Sequence, residues 1–245
     1  MQYNLRMKNE KEVLDQITKL PPLLRGLAEK MVRMVRSRLP VNPARFNDPV
    51  AEQTEWTPAK RGGANFRTRR FRERSHHRLE FSISLGGLLF GLLFALSGLS
   101  SLIFVILFII PTMKELPVFA RILLPLSSLV FLGVGSWLIV SFSRPVVFDK
   151  ELGWFWKGYR PPSLSGGAYK PKTGTPLNRI YALQILAEQV QSKNSSFFSY
   201  ELNLVCRDAS RINLVDHGHY ESIRNEAETL SAFLGVPVWD AVVPE

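Results

Sequence analysis

The chain has 245 residues, with 31 Lys and Arg against 21 Asp and Glu, which leaves a formal charge of +10 at pH 7. A single cysteine, Cys206, excludes an internal disulfide and any cysteine-based metal spacing, and fits a reducing compartment. The averages hide a division: residues 81–113 and 122–143 contain no Asp, Glu, Lys, Arg or His, while most of the positive excess lies before residue 80. Such a basic flank suits nucleic acid or anionic lipid. The uncharged neighbour makes anionic headgroups the expected partner and nucleic acid not.

Residues 1–47 form an N-terminal amphipathic helical region. The first residues are polar and show no short apolar core followed by small residues, so no cleavable signal peptide is expected. Leu24, Leu27, Met31, Met34 and Val35 line one helical face, with Arg25, Arg33 and Arg36 opposite and Lys30 at the margin. Such a helix suits an anionic membrane surface or packing against the chain's own soluble domain. Pro40, Pro43 and Pro49 make the next stretch extended.

Residues 48–83 read as a basic linker and a β-hairpin. Residues 65–72 and 78–83 flank Ser75-His76-His77, and Leu79, Phe81 and Ile83 alternate with Arg78, Glu80 and Ser82. Arg67, Arg69, Arg70, Arg72 and Arg74 are the candidate lipid-surface contacts.

Residues 84–110 and 122–142 are the expected transmembrane helices, since about 20 apolar residues cross a hydrocarbon layer of roughly 30 Å. The loop between them, 111–121, contains Pro111, Pro117, Lys114 and Glu115 and reads as a tight external turn. Lys60, Arg61, Arg67, Arg69, Arg70, Arg72, Arg74 and Arg78 precede the first helix. Arg144, Lys150, Lys157 and Arg160 follow the second, and only Lys114 and Arg121 lie between. Both termini are therefore expected on the cytoplasmic side. Gly87, Gly91 and Ala95 recur every four residues and offer a helix-packing face, with Gly133 and Ser136 as the expected answering surface. No ionisable group lies at mid-membrane depth, which argues against a transporter acting alone.

Residues 145–245 change to a β pattern. Residues 146–148 and 154–156 flank a polar link ending in Gly153. A Pro/Gly/Ser-rich loop over 161–176 follows, and then a strand over 177–190. Phe198, Tyr200, Leu202, Leu204 and Cys206 alternate with Ser199, Glu201, Asn203 and Arg207, the period of a sheet with one side buried; Val205 alone interrupts the polar side. Asp208-Ala209-Ser210 turns the chain into a partner strand, 211–216. Ile223, Ala227, Leu230 and Leu234, joined by Phe233, mark a last helix that Gly235 and Pro237 end, and Trp239 should fold back onto the domain. Trp154 and Trp156 share one face and Phe155 takes the other, so one set suits the membrane interface and the other the core. Two strands before the apolar helices, five after them and one final helix give an α+β membrane protein. It pairs a transmembrane α-hairpin with a cytoplasmic barrel or sheet like that of pleckstrin-homology (PH) domains, closed by a C-terminal helix. The membrane hairpin is inserted between the second and third strands.

Asp216, His217 and His219 are the candidate metal ligands; a metal site needs a third or fourth donor, and Asp-x-Gly at a strand-to-helix junction is commoner as turn and cap chemistry. Gly62-Gly63 lacks dinucleotide spacing, and no GxSxG or phosphate loop occurs. Cys206, on an apolar strand face, reads as an inert filler. No catalytic residue, no cofactor and no enzymatic activity are expected.

The strings Asp48-Pro49-Val50-Ala51, Thr54-Glu55-Trp56-Thr57-Pro58 and Gly62-Gly63-Ala64-Asn65-Phe66 resemble a family of uncharacterised bacterial two-helix membrane proteins. So do Val147-Phe148-Asp149, Gly153 to Gly158, Ser199 to Leu204, Asn213 to Gly218 and Phe233 to Asp240, so the resemblance covers roughly residues 48–240. It implies a PH-like cytoplasmic domain at the bacterial inner membrane and no known activity. More distantly, the two helices and the ending Phe-Leu-x-Val-Pro at 233–237 are similar to photosystem I assembly membrane proteins. That similarity implies a scaffold or assembly role. The expected function is a membrane-anchored scaffold or regulatory protein that binds a protein partner, lipid headgroups or a second copy of itself. The other reading is an accessory subunit of a membrane transport or enzyme complex.

Overall fold

The computed structural model describes residues 15–36, 41–60, 62–63, 65–162, 174–192 and 195–242. Most of the loop expected over 161–176 lies outside the described residues, as does Arg61. In chain order the elements are α1 (Pro22–Arg36), α2 (Pro49–Gln53), β1 (Arg69–Ser75), β2 (Arg78–Ile83), α3 (Leu85–Phe104), α4 (Val118–Ser143), β3 (Val146–Asp149) and β4 (Trp154–Lys157). They continue with β5 (Gly174–Pro176), β6 (Ile180–Ser192), β7 (Ser195–Cys206), β8 (Arg211–His217), α5 (Tyr220–Leu234) and β9 (Val238–Asp240). The chain divides into two compact units, residues 67–174 and residues 1–66 with 175–245.

In the unit formed by 67–174, strands run in the order β1-β2-β3-β4-β5. The β1–β2 hairpin turns at His76-His77 and pairs Phe71 with Phe81, whose rings lie 4.9 Å apart. β1 starts later than the sequence pattern suggests, because the backbone just before it serves another purpose. The Ser84 N–H donates to the Thr68 carbonyl at 2.9 Å, and the Ser84 hydroxyl donates to the Arg67 carbonyl at 2.6 Å. Ser84 Oγ in turn accepts the Gly87 N–H at 2.9 Å and so caps α3. The segment 67–68 is therefore a clasp for the helix start rather than strand.

β2 and β3 are hydrogen-bonded neighbours, Phe81 opposite Val146 and Leu79 opposite Phe148, although α3 and α4 lie between them in the chain. The apolar helices thus leave and re-enter one sheet at adjacent positions. Phe81, Val146, Val147, Phe148 and Phe155 are fully buried and form this unit's core. The β3–β4 turn is held by Asp149, whose carboxylate accepts the Leu152 N–H at 2.9 Å, and by Gly153 at φ +70°, which L side chains rarely adopt.

α3 passes through a wide turn at Val105–Ile109 and a tight one at Ile110–Glu115 before α4. α4 begins at Val118, ahead of the uncharged stretch, with Pro117 at its N-cap position. Arg121 falls within its first turn, where Nε donates to the Leu116 carbonyl at 2.9 Å. The charge is tied to the loop backbone and does not interrupt the helix. Both helices are long and apolar enough to cross a membrane.

The second unit holds a sheet ordered β8-β7-β6-β9. β6 and β7 pair antiparallel along their length, and β9 adds parallel to β6 through Leu183, Gln184 and Ile185. α5 covers one face with Ile223, Ala227 and Leu230, all fully buried, and ends on Gly235 at φ +70°. The other face is covered as well. A strap, residues 41–60 with 62–63, lies across it and places Phe46, Val50, Ala51 and Trp56 against Ala182, Val205 and Trp239. The polar side of β7, which its alternation marks as the open side of a half-buried sheet, is therefore closed: Ser199 and Glu201 are 2 % exposed and Asn203 is 0 %. Val205 marks where that side turns apolar to receive the strap. The ladders form two separate sheets rather than a closed barrel, and β5 and β9 join the seven strands expected.

Candidate membrane interface and polar sheet face

The apolar helices expose their side chains: Leu93 is 63 % exposed, Phe119 70 % and Trp137 66 %. Moving one such side chain out of water is worth about 1.5–3 kcal/mol, so the hairpin would hold tens of kcal/mol of unfavourable surface in water. A monomeric soluble protein does not keep a patch of that extent.

Close helix contact comes from residues without bulk. A Cβ on Gly91 would lie 2.6 Å from Ile139 Cγ1, one on Gly98 would lie 2.3 Å from Leu132 N, and one on Gly135 would lie 2.2 Å from Ala95 N. Gly91, Ala95 and Gly98 of α3 therefore face Gly135 and Leu132 of α4 at backbone distance. Gly87 belongs to a different contact, since its Cβ would meet the Thr68 carbonyl at 2.7 Å. Gly133 has nothing within 4 Å and Ser136 is exposed, so neither lies in the helix contact. Ser101 and Ser128, which the sequence reading did not single out, share a hydrogen bond of 2.7 Å across the helices, and the Ser128 hydroxyl also reaches the Leu124 carbonyl at 3.0 Å. A second small-residue spacing, Gly91–Ala95–Gly98, was the signal available for this face.

The arginines occupy different depths along the β1–β2 ladder. Arg69 lies opposite Ile83 and Arg70 opposite Ser82, next to the start of α3, and the Arg67 carbonyl accepts the hydroxyl of Ser84, which caps that helix. Arg74 lies five residues further along, about 17 Å at strand rise, and pairs with Glu80 at 2.5 Å. Arg72, opposite Glu80, is intermediate in depth. Because β1 is the sheet edge, its charges also discourage pairing with another strand.

The His217 and His219 rings meet edge to face at 5.9 Å, but Asp216 stands apart from them. Asp216 faces the strap, where Lys60 Nζ approaches it at 3.3 Å. His217, opposite Tyr200, is buried, and its Nδ1 accepts the His219 N–H at 3.2 Å. Among the described residues, no group of three His, Cys, Asp or Glu is placed to hold a metal ion.

The denser polar assembly is on the strap face. The Glu201 carboxylate accepts the N–H of Ala59 at 3.0 Å and of Lys60 at 3.4 Å, and Glu188 accepts Gly62 N–H at 3.1 Å. Gly63 lies so close to the sheet that a Cβ there would meet Ser199 Oγ at 2.1 Å. Arg211 bonds the Thr57 carbonyl at 2.6 Å and Glu55 at 2.9 Å, and Gln184 donates to the Glu55 carbonyl at 3.0 Å. Asp48 caps α2, accepting Val50 N–H at 2.8 Å, and also accepts the Tyr181 phenol at 2.9 Å. Each strap amide bonded to a carboxylate is a charge-assisted bond. Sheet carboxylates answered by backbone amides of a distant segment leave no local pattern in the sequence, so this face was not foreseen.

On the helix side, the Tyr220 hydroxyl donates to Asp240. Burial first, then the Asp240 carboxylate, push its phenol well above the ordinary tyrosine value. The folded value is raised, so the contribution to stability is complete below pH 10 and is lost as pH rises past it, where the unfolded chain ionises first. Between pH 9 and 11 the wild-type melting temperature should fall more steeply than that of Tyr220→Phe. Parallel curves would show that this phenol plays no part.

The chain matches no protein-family model, and no curated protein or solved structure is similar to it.

Proposed function

We propose that the chain is an integral protein of the bacterial cytoplasmic membrane with both termini inside, serving as a scaffold or regulator that binds a protein partner or anionic headgroups. The observation that carries this reading is the pairing of β2 with β3. Neighbouring strands bring both feet of the apolar hairpin to the same side, and Arg69 and Arg70 of β1 stand beside the first of them. Lys and Arg at both feet, against Lys114 and Arg121 at the tip, support a cytoplasmic position for that side. The insertion of the apolar hairpin between two adjacent antiparallel strands, and a helix near the end of the chain, are the features on which the PH-like reading rests. Reporter fusions test the topology: a phosphatase active only outside should work at residue 115, and a fluorescent protein that folds only inside should light up at the C-terminus. The opposite pattern would overturn the topology. Purification in gentle detergent tests the role: a soluble partner or retained anionic lipid is expected. A stoichiometric membrane-embedded partner would replace the scaffold reading with that of an accessory subunit.

A further inference from the structure

Outside the hairpin, α1 has a second exposed apolar stripe. Leu24, Leu27 and Met31 recur at helical spacing and are 50, 56 and 63 % exposed. The stripe is thus uncovered among the described residues. Pro22 opens the helix, where its missing N–H is no loss. The Arg25 guanidinium reaches back to the Thr18 and Leu20 carbonyls, fixing the turn before it. A helix of 15 residues is marginal in water by itself, and its apolar face needs a surface. The composition of the helix says which surface: residues 22–36 contain Arg25, Lys30, Arg33 and Arg36 against the single acid Glu29.

We propose that α1 lies in the plane of the anionic inner leaflet, its Leu24–Leu27–Met31 stripe among the acyl chains and its basic side among the headgroups. This rests on the membrane-spanning reading of α3 and α4 and adds a second attachment to it. The cationic flank complements anionic lipid, whereas a second copy of the same helix would bring like charges together.

Site-directed nitroxides on the full-length protein test this. The native cysteine can stay, because Cys206 is 3 % exposed and burial holds its thiol above the usual range. Leu27→Cys, Met31→Cys, Arg33→Cys and, in α3, Leu93→Cys are labelled and reconstituted in phosphatidylcholine vesicles with and without phosphatidylglycerol. With phosphatidylglycerol, labels at 27 and 31 should be oxygen-accessible at roughly 5–10 Å below the phosphates, with the label at 33 on the aqueous side. In phosphatidylcholine alone the labels at 27 and 31 should become shallower. Equal access of all three α1 labels to an aqueous nickel reagent would overturn the proposal. So would labels at 27 and 31 shielded from both reagents, the mark of a protein partner, and so would an undiminished depth without the anionic lipid. The label at 93 separates the two readings: if it sits in the hydrocarbon while α1 stays in water, only the α1 proposal fails. If it too is aqueous, the membrane reading falls and takes α1 with it.

Discussion

Gly135→Leu should force the two apolar helices apart. A Cβ at this position would lie 2.2 Å from the backbone nitrogen of Ala95, 2.7 Å from its Cα and 2.8 Å from the Gly91 carbonyl. None of these is the end of a flexible side chain, so no rotamer change makes room. The helices must separate or slide, and the contacts of Gly91 and Gly98 are lost with them. Overpacking that shifts side chains and backbone costs about 1–3 kcal/mol. The Ser101–Ser128 hydrogen bond gives a direct readout, because its oxygens are only 2.7 Å apart. In a Cys206→Ser background, Ser101→Cys with Ser128→Cys should form a disulfide readily under mild oxidation. Adding Gly135→Leu should abolish it and lower resistance to unfolding in mixed detergent. Gly133→Leu is the control: with nothing within 4 Å of its Cβ, it should stay within about 0.5 kcal/mol of the parent. Undiminished cross-linking in Gly135→Leu would mean that the helices do not touch through this face.

Gly87 and Gly91 show what the sequence could disclose. Length and the absence of charge are sufficient for the two apolar helices, because hydrocarbon thickness sets a one-dimensional requirement. A four-residue spacing names a helix face but not what meets it. Gly87 and Gly91 share a face, yet one meets the Thr68 backbone and the other Ile139. The strands from 146 onward follow their alternation, since side-chain direction in a strand depends on parity. The exception is Tyr181, which the irregularity between Ile180 and Ala182 turns to the side of Asp48 and Trp239. Alternation cannot say whether the polar parity faces water. On β7 it faces the strap, and Glu201 is buried because amides from residues distant in sequence satisfy it. The hint in the sequence was Val205, an apolar side chain on the polar parity, together with Phe46 and Trp56 in a stretch otherwise too rich in proline to form its own core. Those aromatics lack periodicity, so pattern reading gives them no partner.

Trp239→Ala should detach that strap. The indole is 3 % exposed and sits among three other rings, with centroids of Phe46, Trp56 and Tyr181 each 6.0 Å away. Phe46 and Trp56 stack at 4.8 Å, and Trp56 Nε1 donates to the Ala51 carbonyl at 2.9 Å, so the strap reaches the sheet as one aromatic block on Trp239. Truncating a buried tryptophan costs about 3–5 kcal/mol. Much of that loss should fall on the strap, since β9 keeps its backbone bonds to β6 while the block loses its floor. The amides of Ala59, Lys60, Gly62 and Gly63 report it, because their acceptors are Glu201 and Glu188 rather than a ladder. Hydrogen exchange at these amides should accelerate in Trp239→Ala before exchange in β6 and β7 does. Glu201→Gln keeps the shape but removes the charge that Ala59 and Lys60 answer. It should loosen the Ala59 and Lys60 amides while costing only about 1–2 kcal/mol overall. If Trp239→Ala lowers global stability yet leaves the four amides as slow as in the parent, the aromatic block is not what holds the strap, and the carboxylates alone must do so.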